Sequence, residues 1–256
     1  MVFGKLFGKG PLTDKKIAKI SKLASNPFAQ TDVRMREMQR LLDDGSTASL
    51  KGVLKRFAAN ASGSIADEDE KKWLEDMLVD RGEVAIEPLR RYIGSENKLT
   101  YALRAFSRLA GDQEAVRYFL QVLADYGPED YRSSEAKLQI VWALSEHMND
   151  ERVMPGLIEF VVDHSDDVRW AIMDLVEKVA DDGQLTDGVR DRACAMLVRL
   201  IQEEETGPRI QQRAAELLAK RNWQVPGDSN ALAPSLDETY FIDKKRYLRR
   251  RARKKA

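Results

Sequence analysis

The stretch ERVMPGLIEFVVDHSDDVRWAIMDLVEKVADDG, residues 151–183, limits the possible folds more than any other part of the chain. Its apolar residues recur at intervals of three and four, so each half predicts an amphipathic helix rather than a strand. Pro155 falls early in the first helix, a polar turn follows, and Asp166, Asp167, Val168 and Arg169 open the second. The pattern recurs in EVAIEPLRRYIGSENKLTYALRAFSRLAG, residues 83–111, with Pro88 in the position of Pro155. The two prolines are 67 residues apart, which is two repeats of about 33. A single helix pair cannot bury its apolar stripe, whereas a stack of pairs buries a continuous core. This repetition points to a stack.

The same periodicity runs from residue 13 to 222 and predicts about twelve helices, near 13–24, 31–43, 47–59, 67–81, 84–93, 97–110, 113–126, 133–147, 151–163, 166–180, 187–203 and 207–221. Gly45, Gly82, Gly111, Gly127 and Gly183 stand where helices should close. Asp-Val-Arg returns at 32–34, and two looser second helices place Lys137 and Arg209 in or near the Arg position. The unit resembles a HEAT repeat through Pro155, Leu157, Asp166, Asp167, Val168 and Arg169. The resemblance is strongest at 83–111 and 151–183, although Lys98 and Leu99 stand where Val-Arg is expected. It implies an all-α, right-handed α-solenoid of about six degenerate helix pairs over residues 13–223. It also implies that the Arg after Val pairs with an Asp in its own or the neighbouring turn.

Charge separates the tail from the body. The chain holds 42 basic and 42 acidic residues, and nine of the basic ones lie in 244–256, where there is no acid. Removing those nine leaves 33 basic against 42 acidic residues, an acidic body of net charge −9. Residues 224–239, with two Pro and one Gly, read as a linker, and 240–256 as a basic tail able to form one short helix. Lys244, Lys245, Arg246, Arg249, Arg250, Arg251 and Arg253 are its candidate polyanion contacts, for nucleic acid or an acidic surface. An anionic lipid patch, self-docking on the acidic body and an idle solubilising tip are the other readings. Residues 1–12, with Val2, Phe3, Leu6 and Phe7, are expected to cap the first repeat. One cysteine, no long apolar run and no secretory pattern make a cytoplasmic location the expectation.

Motifs for chemistry are missing from the sequence. His147 and His164 are seventeen residues apart with no ligand-type spacing, and Cys194 falls on an inward helical position, so neither a metal nor another cofactor is expected. The acidic run at 67–72 reads as a helix-start feature. The informative residues are aromatic. Counting each second helix from its Val position, apolar residues fall at five, six, nine and twelve, while three, four and seven turn outward. Tyr101, Arg104, Trp142, Trp170 and Asp174 take outward positions, predicting a partner-binding band on the concave face or, alternatively, rings packed between repeats. The expected function is a non-enzymatic scaffold or adaptor binding a protein or peptide. The alternative is a nucleic-acid-associated protein using the tail. Trp170 and Asp174 also have a spacing similar to that of HEAT-like alkylpurine DNA glycosylases, which would imply an enzyme, as would a phycobilin-lyase-like HEAT protein.

Overall fold

A computed structural model describes residues 11–227, 232–236 and 238–252. The described chain is all-α apart from one small hairpin, and its helices follow the expected pairs. Contacts divide it into two compact units, 1–118 and 119–256, with the division inside helix α7 (Asp112–Tyr126).

The first unit holds α1 (Asp14–Ala24), α2 (Thr31–Asp44), α3 (Thr47–Ala58), α4 (Ser64–Asp80), a 3-10 turn (Gly82–Ala85) leading into α5 (Ile86–Ile93), and α6 (Thr100–Ala110). The first helices of the pairs, α1, α3 and α5, pack in succession, and so do the second helices, α2, α4 and α6. The apolar stripe of each helix is thereby buried, with Met38, Leu41, Leu54, Leu74, Leu89 and Phe106 fully inside. Helix α2 ends at Gly45, whose φ of 64° lets its N–H return to the carbonyl of Leu41 at 3.2 Å. Where α3 crosses α1, Gly52 lies directly against the Ser21 hydroxyl and leaves no room for a Cβ.

In the second unit, α8 (Ser134–Ser145), α10 (Asp166–Asp181) and α12 (Pro208–Arg221) pack in succession. Their partners are α9 (Val153–Leu157), which tightens into a 3-10 segment (Ile158–Val162), and α11 (Asp187–Gln202). Pro155 lacks an N–H inside this first helix, and Gly156 sits close against Leu120 of α7. The expected single helix over 151–163 is therefore two short pieces. Cys194 is buried, and burial pushes its thiol up to about 12. His147 and His164 lie in turns outside the helices.

The expected ladder, a pairing with an Asp in a turn, is present for Lys137 and Arg169, whereas Arg34 takes a Glu within the next second helix. Arg34 donates to Glu70 on α4 through Nε at 2.8 Å and Nη2 at 2.6 Å. Lys137, in the same position of α8, reaches Asp163 at 2.5 Å, and both side chains are fully buried. Arg169 pairs within its own turn with Asp166 at 3.3 Å. In α12 the buried frame starts at Ile210, so Gln211 and not Arg209 occupies the ladder position. Its amide donates to the carbonyls of Ile201 and Glu203, as Lys137 donates to those of Gly127 and Pro128. The acidic run at 67–72 meets the expectation of a helix start at Asp67, which lies in the first turn of α4, but it also carries buried ion pairs. Helix α4 begins at Ser64, which turns Asp67 and Glu70 inward onto Arg56 and places Lys71 2.7 Å from Asp67.

The segment after residue 239 is a hairpin, not the expected basic helix. Strand β1 (Tyr240–Ile242) pairs antiparallel with β2 (Leu248–Arg250). Apolar residues alternate here, with Tyr240 and Leu248 buried and Phe241 turned out, a period of two that suits a strand. The Asp243 carboxylate accepts the N–H groups of Lys245 at 2.8 Å and Tyr247 at 3.0 Å and so closes the turn. The stretch read as a linker contributes Val225 and Leu232, both fully buried, and the Val225 N–H donates to the Arg246 carbonyl at 2.8 Å. Strand β2 lies on α12. Residues 1–10, the bulk of the expected N-terminal cap, lie outside the described residues, as does Arg253.

Candidate binding cleft

Three second helices of the second unit build one cleft. On α8, Ile140, Val141 and Leu144 are fully buried and fix the rotation of the helix. Trp142, between them in sequence, therefore turns out and is 55% exposed. On α10, buried Val168, Ile172 and Val176 do the same for Trp170 and Asp174, one turn apart. Helix α12 adds Arg209 and Arg213. Of these, Trp142, Trp170, Asp174 and Arg209 line a cleft of about 240 Å³, together with Leu138, Ile210, Asp166 and Asp167.

The Trp170 ring is half-buried and carries two guanidinium groups from the next pair. Arg209 stands 4.5 Å from the ring centroid and Arg213 5.7 Å away. Arg213 is held by Asp174 at 2.6 Å and by Glu177 at 2.5 Å. Glu177 also receives Lys220 at 2.6 Å. Burial works against ionisation of Glu177, but the hydrogen bonds from Lys220 and Arg213 outweigh it and hold the carboxyl below its ordinary range. The Asp174 carboxylate is thus paired with Arg213 through one of its oxygens. What the site offers is an exposed indole, a second indole face and carboxylates that line it.

The remaining predicted residues lie in the first unit, on α6. Tyr101 stacks on Phe57 at 5.5 Å with ring planes 18° apart, and burial raises its phenol above the ordinary value. The Arg104 guanidinium also lies over the Tyr101 ring, 5.4 Å from its centroid, and pairs with Glu75 of α4 at 2.8 Å. Tyr101 is thus packed between neighbours, as the alternative reading of the band had it, whereas Arg104 retains an exposed head. Arg209 and Arg213 were not among the predicted site residues. Their i, i+4 spacing on one face of α12 was the available signal. Among the described residues no group of three or more His, Cys, Asp or Glu side chains is placed to hold a metal ion.

The tail cations stand apart from this cleft. Lys244, Lys245, Arg246, Arg250 and Arg251 are exposed around the hairpin. Arg249 is half-buried, donating to Asp243 at 3.0 Å and Asn222 at 2.6 Å.

No protein-family model and no curated protein matches the chain. Among solved structures it is similar to a designed armadillo repeat protein in complex with the peptide (KR)4, at 17% identity and a TM-score of 0.35 over 81% of this chain and 92% of that one. It is also similar to an engineered protein, at 16% identity and a TM-score of 0.35 over 86% of this chain. The chain spans 60% of the length of that engineered protein. Likeness at this level does not carry residues from one chain to another, and the fold rests on the helices described above.

Proposed function

We propose that the chain is a non-enzymatic HEAT-like scaffold or adaptor that takes a protein or peptide segment on the face formed by its second helices. The anchor is the cleft between Trp142 and Trp170, where a cationic or aromatic side chain of the partner inserts, with Asp167 and Asp174 lining it. The observation that carries this reading is the 55% exposure of Trp142 in a helix whose Ile140, Val141 and Leu144 are fully buried. A large indole left in water beside a second indole is characteristic of a binding hot spot. The expected non-enzymatic character is supported by the engagement of Asp174 with Arg213.

The test is selection of binding peptides from a random library on the full chain, followed by affinity measurement with Trp142→Ala and Trp170→Ala. Each variant should weaken the selected peptides at least about tenfold, the size of a hot-spot truncation of 1.4 kcal/mol or more. Trp142→Ala should leave the unfolding midpoint nearly unchanged. Peptides that bind both variants as well as the parent chain would rule the cleft out.

A further inference from the structure

The hairpin carries a second and chemically different surface. Its register pairs Phe241 with Arg249 of β2, and residues two apart share a face, so Arg249 and the residues that flank β2, Tyr247 and Arg251, lie beside Phe241 on the outer side. The Arg251 guanidinium lies 5.6 Å from the Phe241 ring centroid, and Arg249 lies 5.2 Å from that of Tyr247. Aromatic rings and guanidinium groups thus alternate along the outer face. Phe241 is 39% exposed within this row. The inner residues Tyr240 and Leu248 are buried, and the Asp243 turn and the Val225–Arg246 hydrogen bond hold the row in place without any ligand. Lys244, Lys245 and Arg246 cluster at the turn beside it, and among the described residues none of these three forms an ion pair; Arg250, opposite Tyr240, stands on the other face.

We propose that this outer face binds single-stranded nucleic acid, with one base stacked on Phe241 and the surrounding cations on the flanking phosphates. The combination is the reason for choosing this ligand. Cations alone would suit any polyanion, but an exposed ring framed by guanidinium groups offers a stacking surface to an unpaired base. Base faces within a duplex are hidden by their neighbours. An anionic membrane would be met by the charges without need of the ring. Recognition is sequence-independent, since the row presents no groove-reading element.

Fluorescence anisotropy on the full chain tests this, with a labelled single-stranded oligonucleotide, the same sequence as a duplex, and phosphatidylserine-containing vesicles, each at low and moderate salt. Single strands should bind best, with affinity falling as salt rises. Phe241→Leu keeps an apolar strand residue and removes the ring; it should weaken single-strand binding at least about fivefold, the lower bound for loss of one base stack. Lys244→Gln with Lys245→Gln should lower the salt dependence, while Trp142→Ala should leave binding unchanged. Arg251→Gln provides a second probe of the row should Phe241→Leu disturb the hairpin by circular dichroism. Absence of single-strand binding at low salt would overturn the proposal. So would duplex or vesicle binding of equal strength, or single-strand binding that neither Phe241→Leu nor Arg251→Gln weakens.

Discussion

Replacing Lys137 by Met should destabilise the second unit severely near neutral pH and much less in acid. The Lys137 ammonium and Asp163 carboxylate are 2.5 Å apart, and neither side chain is exposed. Removing one member of such a pair leaves a charge in the interior without its counterion, at a cost of about 3–5 kcal/mol. Lys137 also donates to the carbonyls of Gly127 and Pro128, so its loss unties the turn entering α8. For a chain of this length the cost corresponds to a fall of roughly 10 °C in unfolding midpoint. The pH dependence gives the mechanism. Burial, the largest influence on Asp163, already raises its carboxyl above the ordinary value despite the Lys137 hydrogen bond that opposes it. A carboxyl raised in the folded state binds its proton more tightly than in the unfolded chain, so stability falls as pH climbs above the unfolded value. Removing Lys137 enlarges that rise, and the deficit of Lys137→Met should therefore shrink toward pH 4. Urea unfolding followed by circular dichroism from pH 4 to 8 measures this, with Asp163→Asn and the double variant completing a cycle. Lys137→Met with Asp163→Asn should recover part of the single-variant loss. A pH-independent loss below 1 kcal/mol, or additive effects in the cycle, would refute the reasoning.

Three further outcomes follow from named contacts. Asp67 is held down to about 2: burial opposes this, but hydrogen bonds from Lys71, the Ala61 N–H and Arg56 prevail. This lowered carboxyl contributes stability above its unfolded value near 4 that is lost as pH falls toward 2, worth about 2 kcal/mol at most; Asp67→Asn should flatten acid unfolding of the first unit in that window. Gly52→Ala should destabilise the first unit by about 1–3 kcal/mol, because the new methyl meets the Ser21 hydroxyl where α3 crosses α1; Ser21→Ala in the same chain should relieve part of the loss, read as unfolding midpoints. Arg213→Ala should uncover Trp170 and leave Glu177 with one fewer cation, giving a red shift of tryptophan emission and a loss of about 1–3 kcal/mol in urea unfolding.

Helices and their inward faces were legible in the sequence because both are written locally. A period of three and four places Ile172, Met173, Val176 and Val179 inside α10, and the same count turns Trp170 and Asp174 outward, where the structure has them. The count assigned Trp142 its exposure as well, yet Tyr101, equally outward by position, is stacked against Phe57, a residue 44 positions earlier on α3. Position in a helix sets the direction of a side chain but not what the neighbouring helix places in front of it. Charges were harder to read for the same reason. Glu70 looked like a helix-start acid, and becomes a buried counterion only because Arg34, 36 residues away, arrives from the previous pair. The tail shows the reverse error. Its run of cations suggested one short basic helix, but Tyr240, Ile242 and Leu248 alternate at a period of two, and three residues on each side of a turn are too few to outweigh the charge signal by eye. Such a short hairpin is marginal alone. It persists here because Val225 and Leu232, buried with it, and helix α12 beneath β2 supply the apolar surface that its own strands lack. The order of the tail is therefore a property of the second unit, and unfolding α12 should melt the hairpin with it.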